Sequence, residues 1–209
     1  MVIDDCMTLF AGTHLLKTYQ FARSGPDSTG MCCGGEAEVF MELFAKPDRL
    51  VIFGGGHIAR ELASVVSGLD FRITVVDDRP EMLEQYRGAA ETVLTDAEYH
   101  EGLPGLDEHS YVVIVTRSHN LDRSILARVI RSGCAYLGMI GSKAKVAETF
   151  AFLKAFGVEE SLFEKVRTPI GLDIGAEGPR EIAVSMAAEL IAARRKAHPD
   201  SGRRDTSRP

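Results

Sequence analysis

Leu50-Val51-Ile52-Phe53-Gly54-Gly55-Gly56-His57-Ile58-Ala59 decides the fold of this chain. Four apolar residues, of the kind buried on both faces of a parallel sheet, run into a glycine turn of the form G-x-G-x-x-A. An amphipathic stretch over 58–67 then reads as a helix. Gly54 permits a tight reversal, Gly56 lets a phosphate approach the backbone, and the first amides of the helix face the anion. A second apolar run, Ile73–Val76, leads to Asp77, 23 residues after Gly54, where a dinucleotide fold places a carboxylate for ribose hydroxyls. The same glycines would equally serve close packing of helix on strand, with the pocket adapted to another anion.

The alternation continues downstream. Thr92–Leu94, Tyr111–Val115 and Tyr136–Ile140 are further β-rich runs, and the stretches 80–87, 122–132 and 143–156 have helical character. Pro179 then opens a last helix in which Ile182, Met186, Leu190 and Ile191 share one face. This is the pattern of an α/β, doubly wound parallel sheet, Rossmann-like in form. Upstream, Lys46-Pro47-Asp48 interrupts the apolar pattern, and before it Ala37, Val39, Met41 and Leu43 alternate with Glu36, Glu38 and Glu42 as in a half-buried strand. Residues 1–46 therefore read as a small N-terminal α+β appendage of one short helix, a loop and one or two strands, 47–193 as the main domain, and 194–209 as a disordered basic tail.

Charge and composition narrow the partners. The net charge is −6 over 209 residues, but six basic and two acidic residues gather in 194–209, which leaves an acidic body. Nucleic acid is disfavoured as the main partner, because phosphate neutralisation needs clustered Lys and Arg. No run approaches the ~18 uncharged apolar residues of a bilayer span, and Met-Val-Ile-Asp-Asp does not resemble a secretory leader. With four cysteines forming neither a disulfide framework nor a C-x-x-C pair, the expected setting is the cytoplasm.

Polar loops at the carboxyl ends of the apolar runs are where an open α/β sheet binds its ligand. Thr116-Arg117-Ser118-His119-Asn120-Leu121-Asp122 offers His119 and Asp122 either as a general base with its orienter or as part of a metal site. The plainer alternative is a helix start capped by Asn120 with His119 on the surface. Gly141-Ser142-Lys143 is either an anion site or a capped helix with a solvated lysine. Pro169 to Pro179 gathers Gly171, Gly175 and Gly178 in a segment without helix or strand period, which either wraps a ligand with its backbone or only connects to the last helix. Cys32-Cys33-Gly34-Gly35 presents either a thiolate for a soft metal or sulfur, or two small buried residues at a bulged turn.

Taken in order, FGGGHIARELA, VVDDRPE, VTRSHNLDRSIL, GMIGSKAKV and TPIGLDIGAEGPREIAVSMAAELIA resemble the C-terminal domain of the XdhC/CoxI family, accessory proteins of xanthine dehydrogenases and related molybdenum hydroxylases. MCCGGEAEVFMEL resembles the segment joining that family's N-terminal domain to it, so that 1–46 looks like a truncated N-terminal domain. The resemblance implies an accessory factor rather than a turnover enzyme. It would bind the molybdenum cofactor (molybdopterin), keep it intact while a cysteine desulfurase supplies the sulfido ligand, and pass it, as a homodimer, to the apo-hydroxylase. It also implies a pocket of Gly54, Gly56, His57, Asp77, Asp78, Arg79, His119, Asp122, Gly141, Ser142, Lys143, Gly171, Asp173 and Gly175, with Cys33 as the metal-side ligand. Many relatives carry histidine where Arg117 stands here, which removes a two-histidine metal site from that loop. The alternatives of another class are an NAD-dependent oxidoreductase and a nucleotide-binding module using the Gly54–Gly56 loop.

Overall fold

The computed structural model describes residues 2–9, 14–21, 34–43 and 46–197. Two compact units are present, Met1–Lys46 and Pro47–Pro209. In the first, α1 (Val2–Met7) precedes β1 (His14–Gln20), which pairs antiparallel with β2 (Glu36–Glu42). The period of two in β2 holds: Ala37, Val39 and Met41 face the covered side and the three glutamates face solvent, while Leu43 lies beyond the strand and is exposed. The Tyr19 hydroxyl donates to Asp5 of α1 at 2.5 Å, with Lys17 at 3.3 Å, which ties helix to hairpin.

The second unit runs β3 (Arg49–Phe53), α2 (His57–Val66), β4 (Arg72–Asp77), α3 (Pro80–Leu83), β5 (Glu91–Leu94), β6 (Ser110–Ile114), α4 (His119–Val129), β7 (Tyr136–Met139), α5 (Lys143–Ala155), β8 (Val166–Arg167) and α6 (Gly178–Ala197). The six strands lie in the order β5-β4-β3-β6-β7-β8, all parallel. The expected doubly wound Rossmann-like sheet is therefore present. Phe53 is in register with both Val76 and Ile114, so β3, β4 and β6 end at the same level, and the strand order reverses between β3 and β6. The loops after these three strands consequently meet at one edge, where such folds form their crevice.

Strand β3 shows why the sheet holds. Leu50 and Ile52 pack into one layer with Leu62, Val66, Met186 and Leu190 of α2 and α6, while Val51 and Phe53 pack into the other with Leu126 and Leu153 of α4 and α5. Leu50, Val51, Ile52 and Phe53 are all fully buried, as a continuous apolar run between two helical layers must be.

Some boundaries differ from the sequence expectation. Helix α3 stops at Leu83 and tightens into a 3-10 turn over 84–86, which turns Tyr86 inward, so 80–87 is not one helix. Helix α4 begins at His119, with Ser118 rather than Asn120 at the capping position. Strand β8 is new: two residues carry no readable period, and pairing of Val166 with Leu137 defines it. Helix α6 continues past 193 to Ala197, because the Arg194 guanidinium lies 4.5 Å over the Phe71 ring and donates to the Leu69 carbonyl. The expected tail thus loses 194–197 to the helix, and its remainder lies outside the described residues. Among the described residues no helix is long and apolar enough to cross a membrane.

Candidate functional site

Two glycines of the turn after β3 have different tasks. Gly54 sits at φ +100°, and a Cβ there would lie 2.7 Å from the Thr116 Cα, so only glycine lets β3 and the loop after β6 approach this closely. Gly56 has ordinary φ, −75°, and a Cβ on it would meet nothing within 4 Å. No side chain caps the first turn of α2 behind it. The first amides of α2 are donors without an intrahelical partner, and a helix start of this kind takes an anion.

Asp77 ends β4 completely buried. Its Oδ2 accepts from the Gly55 amide at 2.6 Å and from Arg79 Nη2 at 3.0 Å. Its Oδ1 accepts from the Arg79 amide at 3.0 Å and Arg79 Nε at 2.8 Å. These four donors use the acceptor capacity of a carboxylate. Burial opposes ionisation of Asp77, but the hydrogen bonds from Arg79 and Gly55 prevail and hold its carboxyl below the usual range. Asp77 thus fixes the glycine turn, and the acceptor positions expected to receive a ribose hydroxyl are occupied by Gly55 and Arg79.

The next residue, Asp78, is bound from the opposite loop. Arg117 reaches across from the end of β6 and grips both carboxylate oxygens, Nη1 on Oδ1 and Nη2 on Oδ2 at 2.9 Å. Below them Tyr99 is fully buried, with a hydroxyl that has no hydrogen-bond partner among the described residues. Burial, reinforced by Asp77 and Asp78, pushes this phenol well above its ordinary value. A cavity of about 450 Å³ opens at this edge. Of the expected residues Gly56, His57 and Arg79 line it, joined by Gly55, Met82, Gln85, Arg117 and Pro179. Arg117 stood out in the sequence only as a departure, and the contribution of Pro179 depends on α6 folding back beside α2.

His119 and Asp122 are not joined as base and orienter. Asp122, nearly buried, accepts from the Thr116 amide at 3.0 Å and hydroxyl at 2.7 Å, and so fixes the β6–α4 loop. Burial raises its pKa, against these hydrogen bonds. His119 Nε2 faces instead the Thr149 hydroxyl at 3.4 Å and Glu148 at 4.0 Å. Ser142 accepts from the Lys145 amide at 3.5 Å and caps α5, with Lys143 exposed beside it.

Gly171 opens the late loop at φ +101°, and a Cβ there would strike Ser185 Oγ at 2.3 Å. The Gly171 amide and the Tyr136 hydroxyl both donate to Glu189 Oε2, at 2.6 and 2.9 Å. Asp173 and Gly175 then stand exposed, Gly175 on a separate open hollow of about 750 Å³. Cys32 and Cys33 lie outside the described residues, and no cluster of three metal-ligating side chains occurs among the described ones.

Residues 50–190 match the family model of the XdhC Rossmann domain. The chain belongs to the XdhC family. Two curated relatives align along most of this XdhC chain. The uncharacterized protein YqeB of Escherichia coli K12 is 34% identical over 173 residues, 82% of this chain and 32% of its own length. A probable xanthine dehydrogenase subunit of Bacillus subtilis 168 is 28% identical over 160 residues, 76% of this chain and 46% of its own. The chain thus spans less than half the length of either. A crystal structure of a xanthine dehydrogenase (BH1974) from Bacillus halodurans superposes with a TM-score of 0.61 at 26% identity, covering 83% of this chain and 48% of that one.

Proposed function

We propose that this XdhC chain is the cofactor-handling part of an accessory factor for xanthine dehydrogenase or a related molybdenum hydroxylase. In this reading it binds molybdopterin, holds it while a cysteine desulfurase supplies sulfur, and hands it to the apo-enzyme. Family membership supports the accessory role. The observation that carries cofactor binding is the open space at Gly56 before the uncapped amides of α2, which suits the terminal phosphate of a pterin. When bound, the cofactor supplies the dithiolene that holds molybdenum. The protein's part is to donate the amides of His57 and Ile58 to the phosphate, to keep the turn rigid through Asp77, and to cover the ligand with the side chains at the crevice. Cys33 is proposed as the thiolate on the metal side.

Adding molybdopterin is expected to raise the melting temperature more than NADH at equal concentration, since a ligand of the folded state stabilises it in step with its affinity. Gly56→Val should leave the ligand-free melting temperature within about 3 °C, as a Cβ there meets nothing within 4 Å. The same substitution should remove the molybdopterin shift. A larger response to NADH, with reduction of a small carbonyl compound, would favour an oxidoreductase instead.

A further inference from the structure

We propose that Arg117 closes the nucleoside seat of the crevice, so that this chain accepts a ligand ending in a single phosphate and turns dinucleotides away. The inference deepens the proposed function and rests on it for the identity of the phosphate-ended ligand. A dinucleotide of the NAD type uses two features of this fold: donors at the first helix for its pyrophosphate, and a free carboxylate at the end of the second strand for its ribose. The first is present at Gly56 and α2. The second is not, because Asp77 has its four acceptor positions filled by Gly55 and Arg79.

Asp78 is then the carboxylate left at this strand end. It is 9% exposed in its side chain, and Arg117, 41% exposed, holds both of its oxygens from the opposite side. Arg79 Nε lies 3.9 Å from the same carboxylate. Arg117 lines the same cavity as Gly55, Gly56 and His57, so its ion pair with Asp78 occupies the strand end that a ribose diol would have to reach. Nor does the cluster invite a second phosphate in place of the diol. Asp77 and Asp78 match Arg79 and Arg117 charge for charge, and a phosphate taking Arg117 would face the released Asp78 carboxylate.

The test titrates NADH, followed by its fluorescence, and ADP-ribose, followed by calorimetry, into the unmutated chain and its variants. Arg117→Ala should bind both probes at least about tenfold more tightly, the gain expected from a carboxylate freed to accept ribose hydroxyls. Arg117→Gln, which shortens the side chain and removes the forked charge while keeping a polar end, should gain in the same direction. Adding Asp78→Asn to Arg117→Ala should cancel the gain. Equal affinity of the unmutated chain and Arg117→Ala, weaker binding by the variant, or a gain that survives Asp78→Asn would each overturn the inference. Molybdopterin serves as the independent arm. If it stabilises every form while Arg117→Ala gains nothing for NADH, the inference fails and the accessory reading stands. If it stabilises none while the NADH gain appears, the accessory reading fails and the role of Arg117 stands.

Discussion

Asp77→Ala is expected to cost about 3 kcal/mol of folding stability, because it leaves the buried Gly55 amide and the Arg79 guanidinium without their shared acceptor. For a domain of this size that lowers the melting temperature on the order of 10 °C. Urea titration measures it, and a loss under about 1 kcal/mol would show that water replaces the carboxylate at no cost. The effect depends on pH with a defined sign. The folded-state pKa of Asp77 lies below its unfolded value of about 3.9, so its contribution is complete above that pH and is lost as pH falls through the folded value. The gap between the unmutated chain and Asp77→Ala should therefore narrow below about pH 4. A gap that stays constant from pH 7 to 3 would mean that the carboxylate is not held ionised by Arg79.

Gly54→Ala should be the most damaging single methyl group in the crevice. At φ +100° a side chain is strained before any contact is considered, and here the new Cβ also meets the Thr116 Cα and the Val115 carbonyl oxygen, both at 2.7 Å. Those atoms are backbone just past the end of β6, tied to β3 by the Val115 amide on the Phe53 carbonyl, so relief requires the β3–β6 pairing itself to shift. A loss of about 4 kcal/mol or more, or failure to recover soluble protein, is expected. Expression of Gly54→Ala beside Gly56→Ala, read by circular dichroism and urea midpoints, separates the two glycines: the second should fold as the unmutated chain does. Similar midpoints for both would contradict the close approach at Gly54.

The features legible in the sequence are those fixed by local chemistry. Leu50–Phe53 announces a strand covered on both faces because its alternate residues enter different layers, and each layer demands an apolar side chain. The spacing from Gly54 to Asp77 is legible because turn and strand end are built from neighbouring residues, as is the cap that Ser142 provides for α5. What Asp77 bonds to is not legible, since the sequence shows a carboxylate at a strand end but not which donors fold onto it. The Arg117–Asp78 pair joins residues 39 apart, and only the order β4-β3-β6 brings their loops together. Pro179 reaches the cavity for a similar reason, through the return of α6 beside α2. Strand β8 has too few residues for any period to register.

The margins of the six-stranded sheet bear on how this domain meets other chains. At one margin β5 offers four residues and at the other β8 offers two, followed shortly by Pro169, which has no amide hydrogen to give. Short borders of this kind deny an incoming strand a template, the means by which sheets avoid fusing edge to edge. Another chain docking on this domain is therefore expected to use its helices and loops, with side chains rather than backbone ladders deciding the fit.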